Sequence, residues 1–132
     1  MPTKKKTVKS AAKRKKPARA KRPAAPQWKP FTISQDSVML LVILHARPGK
    51  EKELERELRA LIVPTRQEAG CLRYSLYGAT DGGEPGTFVF YEVWRTREDH
   101  TLHTQTPHFK RFSARKDELV EARDSAFWKQ LA

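Results

Sequence analysis

Three of the chain's 4 histidines, His100, His103 and His108, stand close together near its C-terminal third. An imidazole with an ordinary pKa of about 6.5 can take or give a proton near neutrality. Two of these histidines, His100 and His103, are spaced i,i+3 and could share a metal, but no HExxH pattern or cysteine cluster accompanies them, so no metal is expected. The single cysteine, Cys71, has no CxxC partner and reads as a small buried hydrophobe. There is no GxGxxG and no P-loop, and nucleotide cofactors are not indicated.

The elements that must position these groups follow from periodicity. Val38 to Ala46 (VMLLVILHA) is apolar on both alternating faces, the mark of a strand covered on both sides, and a second subunit is the simplest cover. His45 ends this run and could face either way. After Pro48-Gly49, Lys50 to Glu68 predicts an amphipathic helix with Leu54, Leu58, Leu61 and Ile62 on one stripe, closed by Gly70. Pro64 lies inside that pattern, so a kink or a broken last turn is expected there. Cys71 to Gly78 and Thr87 to Arg95 predict two strands around a turn rich in Gly and Asp. Thr96 and Asp99 have capping-box spacing, and Thr106-Pro107 starts another helix whose inner stripe is Phe109, Phe112 and Leu119. Ala126 to Leu131 predicts the closing strand. The resulting order, βαββαβ with a split second helical region, points to a ferredoxin-like α+β sandwich.

A hairpin centred between Gly82 and Gly83 sets Arg73 opposite Glu92 and Tyr77 opposite Phe88. One face then carries Arg73, Tyr77, Phe90, Glu92 and Trp94, a mixture of aromatics and a mid-strand charge pair that suits a pocket better than a dry core. An ordinary cross-strand ion pair is the competing reading. A one-residue slip would change which residues share the face.

The charge is distributed unevenly. Of 27 Lys and Arg, 12 lie within residues 1–30, which hold no carboxylate; the other 15 basic groups balance 15 acidic ones. The arm's cations are Lys4, Lys5, Lys6, Lys9, Lys13, Arg14, Lys15, Lys16, Arg19, Lys21, Arg22 and Lys29, interspersed with Ala and Pro. Such a segment cannot bury a core, and disorder is the expectation for residues 1–36, followed by one domain over 37–132. Contact with nucleic acid through released counterions is one use of the arm; a solubilising tail and an anionic membrane surface are others. No run of 18 apolar residues exists and no secretory core precedes Val38, so a cytoplasmic protein is expected, with nucleoid association as the option the arm adds.

Several segments carry a family likeness: ARPGKEKELERELRAL, PTRQEAGCLRYSLY, TFVFYEVW and HTQTPHFKRF. They resemble the antibiotic biosynthesis monooxygenase domain, which includes small quinol monooxygenases; Pro64-Thr65-Arg66, Gly70-Cys71, Tyr74, Glu92-Val93-Trp94, His103 and Thr106-Pro107-His108-Phe109 match at the family's spacing. The resemblance implies a homodimer forming an α+β barrel, and oxidation of a phenolic or quinol-type aromatic with O₂ and no cofactor. On that basis His103 is the expected base and His108 orients substrate or stabilises charge. Trp94 and Phe90 stack on the ring beside Glu92, while Arg73 or Tyr77 hydrogen-bonds a substrate oxygen. Haem-degrading relatives place an Asn where Val42 stands and a late His near Ser113, so haem chemistry is not implied. The alternative is a non-enzymatic dimer with a sensing or vestigial pocket, tethered to nucleic acid by its arm. The Lys, Ala and Pro mixture of the arm resembles linker-histone-like tails.

Overall fold

The computed structural model describes residues 30–132, and the basic positions of the arm up to Lys29 lie outside them. The elements are β1 (Val38–Ala46), α1 (Glu51–Arg66), β2 (Cys71–Gly78), β3 (Thr87–Trp94), α2 (Arg97–His103), α3 (Pro107–Leu119) and β4 (Val120–Trp128). They form one antiparallel sheet in the order β2-β3-β1-β4, with the helices on one face. This is the expected ferredoxin-like α+β arrangement, with its second helical region split in two. Among the described residues no helix is long and apolar enough to cross a membrane.

Burial explains the order of the layers. Leu40, Val42 and Leu44 point from β1 into the core, where Leu54, Leu58 and Leu61 of α1 meet them. The intervening Met39, Leu41 and Ile43 are half-buried on the opposite face. Helix α1 runs two residues past Pro64. Its end then tightens, with the N–H of Gln67 donating to Pro64 O (3.2 Å) and that of Glu68 to Thr65 O (3.0 Å). Pro64 has no N–H to give the carbonyl of Ala60, so the helix forfeits one bond there and still continues to Arg66. Gly70 does not close the helix by a left-handed turn. It admits close approach instead: a Cβ there would collide with the carboxylate of Asp99 at the start of α2.

Two expectations are corrected. The β2–β3 pairing holds at Cys71–Trp94, but Leu72 is an extra residue on β2, so Tyr74 rather than Arg73 faces Glu92. Such a bulge flips every later side chain relative to a regular ladder. Tyr74 and Leu76 therefore join Phe90 and Glu92 on the helix side. Arg73 and Tyr77 go to the opposite side, where the Arg73 guanidinium lies 5.9 Å from the Phe31 ring centroid and Tyr77 is exposed. The closing strand also begins at Val120, directly after α3, rather than at Ala126. Its seven residues from Glu121 to Phe127 are mostly exposed, as an edge strand permits, and so lack the apolar alternation that announces a strand.

Candidate active site

Three turns bring a carboxylate and two imidazoles together. Glu68 sits in the tightened turn after α1, His103 is the last residue of α2, and His108 is the second residue of α3. Helix α2 is held at its start by Thr96, whose hydroxyl accepts from the Asp99 N–H at 3.1 Å. At its end the Thr106 hydroxyl donates to the His103 carbonyl (2.7 Å) and accepts from the Phe109 N–H (3.4 Å), locking the α2–α3 junction. One oxygen of Glu68, Oε2, then lies 2.8 Å from both His103 Nδ1 and His108 Nε2.

A carboxylate only accepts, so each imidazole presents an N–H to Glu68. That choice leaves the lone pair of His103 at Nε2. His103 is 1% exposed and rings surround it, with the centroid of Trp94 at 4.8 Å and that of Phe109 at 5.0 Å. Burial pushes its pKa below the ordinary histidine value, and the Glu68 carboxylate opposes that shift only in part. His103 is thus a neutral, tautomer-fixed base at pH 7. His100, one turn earlier, is lowered to about 4, again chiefly by burial.

A cavity of about 190 Å³ opens beside this pair. Phe90, Glu92 and His103 line it, as do Tyr74, Phe109 and Phe112. Glu92 is 4% exposed and accepts from Trp94 Nε1 at 2.8 Å. Burial raises its pKa to about 7, against the lowering effects of the Trp94 hydrogen bond and the Arg123 charge. A carboxyl group poised there can give or take a proton near neutrality. Burial likewise holds the Cys71 thiol up at about 12 and the Tyr74 phenol well above its usual range, so neither is a base.

Of the residues expected in the site, Phe90, Glu92 and His103 line the cavity. Trp94 is fully buried beneath it and orients Glu92, and His108 stands behind Glu68. Arg73 and Tyr77 face away, for the register reason given above. Glu68 was not expected at all. It is 35 residues from His103 and 40 from His108, separations that no local spacing rule links. Glu68, His103 and His108 offer an oxygen and two nitrogens within 4.8 Å of one another, a grouping a divalent cation could use, whereas the rings of His100 and His103 are 6.1 Å apart and tilted. Two N–H donors on one carboxylate oxygen satisfy the three groups by themselves.

The profile of the antibiotic biosynthesis monooxygenase family matches residues 37–115. The chain belongs to that family. It is 33% identical over 87 residues to an uncharacterized protein, sll1783, of Synechocystis sp., a match covering 66% of this chain and 58% of that one. Over 74 residues it is 39% identical to Rv0793 of Mycobacterium tuberculosis, which bears the name "Putative monooxygenase", with 56% of this chain and 70% of that one covered. Among solved structures, PA3566 of Pseudomonas aeruginosa superposes with a TM-score of 0.70 at 36% identity, over 77% of this chain and all of that one. The family match ends at Arg115, so it takes in β1 to β3, α2 and most of α3, including Glu68, Glu92, His103 and His108.

Proposed function

We propose that this member of the antibiotic biosynthesis monooxygenase family is a cofactor-independent monooxygenase that oxidises a small phenolic or quinol-type aromatic with O₂. One observation carries the reading: Glu68 engages Nδ1 of a buried His103, leaving Nε2 as the lone-pair nitrogen of a ring that lines an aromatic cavity. His103 takes the proton of the substrate hydroxyl, and the electron-rich phenolate supplies electrons to O₂ so that a C–O bond forms on the ring. The peroxide is protonated by the returning proton. Loss of the ring hydrogen as a proton and cleavage of the O–O bond then yield a quinone-type carbonyl, while the second oxygen departs as water. Glu92, with its pKa near 7, is placed to supply and recover the proton that this last step moves. His108 acts through Glu68, and Trp94 through Glu92.

The same reading has two copies packing through the sheet face opposite the helices, where Met39, Leu41 and Ile43 remain half-buried in a single chain. The test of the chemistry is isotopic. With ¹⁸O₂, a metal chelator and a panel of quinols and phenols, the product should carry one labelled oxygen and the solvent should receive the other. Product without label, or activity abolished by the chelator, contradicts the proposal.

The charge pattern of residues 1–30 favours an added role, tethering to nucleic acid. Duplex binding should fall steeply with salt and vanish on deletion of residues 1–30. Binding that survives the deletion assigns it to the folded domain.

A further inference from the structure

Two cations, Lys116 and Arg123, line the cavity beside its apolar and aromatic wall. Lys116 continues the inner stripe of α3, spaced i+7 from Phe109 and i+4 from Phe112, and it lines the cavity. Arg123 is on β4 opposite Leu44, whose side chain points into the core, so it too projects from the helix side of the sheet. Both line the same cavity, Lys116 from α3 and Arg123 from β4. Among the described residues neither has a carboxylate within ion-pair distance. The contrast with the adjacent Arg115 is direct, since that side chain turns outward and reaches Glu53, Glu57 and Glu118. Lys116 is half-buried and Arg123 exposed, and although the Arg123 charge is felt at Glu92 neither cation is held in an ion pair, so together they offer an anion-binding border to the cavity.

The rest of the wall is different in kind. Tyr74, Phe90 and His103 line it together with Glu92, whose carboxyl feels the Arg123 charge. A long molecule has no room: an apolar cavity of about 150 Å³ takes a benzene ring, and drug-sized ligands occupy roughly 300 Å³ or more. At about 190 Å³ this cavity suits one substituted ring.

We infer that the substrate is a single-ring phenol or quinol bearing a carboxylate, which Lys116 and Arg123 clamp while its hydroxyl meets His103. The inference rests on the aromatic-oxidation reading for the identity of the ring, and on Lys116 and Arg123 alone for the carboxylate. The two cations are specificity residues; Arg123 also lowers the Glu92 pKa through its charge, so the test reads binding rather than turnover.

Calorimetry without O₂ tests it on the full chain, so that binding is read apart from turnover. The probes are 2,5-dihydroxybenzoate, its methyl ester, hydroquinone and 1,4-dihydroxy-2-naphthoate. The benzoate should bind about tenfold or more tightly than the ester, the size of one charge-assisted hydrogen bond. The Lys116→Gln/Arg123→Gln variant, which keeps the basic arm, should lose that preference while binding hydroquinone as before. Equal binding of acid and ester, no binding of either, or a preference that survives in the double variant overturns the clamp. Tighter binding of the naphthoate overturns the single-ring limit. If the preference disappears in the double variant yet the wild type takes up no O₂ once air is admitted, the clamp stands and the oxidation reading fails.

Discussion

The two faces of the sheet are built from the same strands and do different work. On the helix side, Leu40, Val42, Leu44 and Phe90 are buried around a cavity that holds Glu92 and His103. On the other side, Met39, Leu41 and Ile43 are covered only in part, and Arg73 and Tyr77 replace chemistry with surface contacts. The period of two along each strand divides the cavity-lining side chains from those of the open face, and the bulge at Leu72 decides on which side of that division each residue of β2 falls. The lining of the cavity therefore depends on a register defect that lies on the opposite edge of the sheet from β4.

Truncation on each face should give the largest contrast. Leu58→Ala empties a site that is fully buried against the helix side and should cost about 2–5 kcal/mol. Ile43→Asp, on the open face, should leave the fold intact by circular dichroism while shifting a two-copy assembly to single chains in light scattering. Loss of fold in the second variant would erase the distinction between the faces. Next in size is the pH dependence built into the helix side. Glu92 ordinarily titrates near 4.5 and in the fold near 7, so the folded state holds a proton that the unfolded chain releases between those values. Its contribution is fully present below pH 4.5 and is lost as pH rises through about 7, a change of about 3 kcal/mol. Half-buried His100 acts in the opposite direction, with stability lost as pH falls from 6.5 through about 4. Urea denaturation of Glu92→Gln at pH 4.5 and pH 8 isolates the carboxyl: the variant should gain on the wild type only at the higher pH. The smallest effect is local. Thr96→Ala removes the cap of α2 and should cost about 1 kcal/mol by thermal or urea unfolding, whereas a loss of several kcal/mol would give that cap a wider role in holding His103.

Strong periodicity made most of the fold legible in the chain. The doubly apolar run of β1, the Leu54, Leu58, Leu61 stripe and both Thr caps all follow local rules, and all three are present. Three features escaped those rules. An extra residue at Leu72 leaves no mark in a strand whose two faces are both mixed, so Arg73 and Tyr77 were placed beside Glu92 when Tyr74 and Leu76 stand there. Strand β4 is an exposed edge and reads as polar loop for most of its length. Glu68 lies where a helix ends and a turn begins, and only the folded chain brings it to two histidines far along the sequence. Of the residues expected in the site, His103, Phe90 and Glu92 do line the cavity. Their geometry depends on tertiary contacts, among them the close approach of Gly70 to Asp99 that lets α2 settle against the turn carrying Glu68.

The most direct test of the account is the pH profile of kcat/KM for O₂ uptake with an accepted quinol or phenol, measured on the wild type and on His103→Ala. The wild type should keep full activity to below pH 6.5, because burial holds His103 neutral there, and the variant should fall by roughly 10²- to 10⁴-fold across the range while remaining folded. An unchanged rate in His103→Ala would contradict the assignment of His103 as the base.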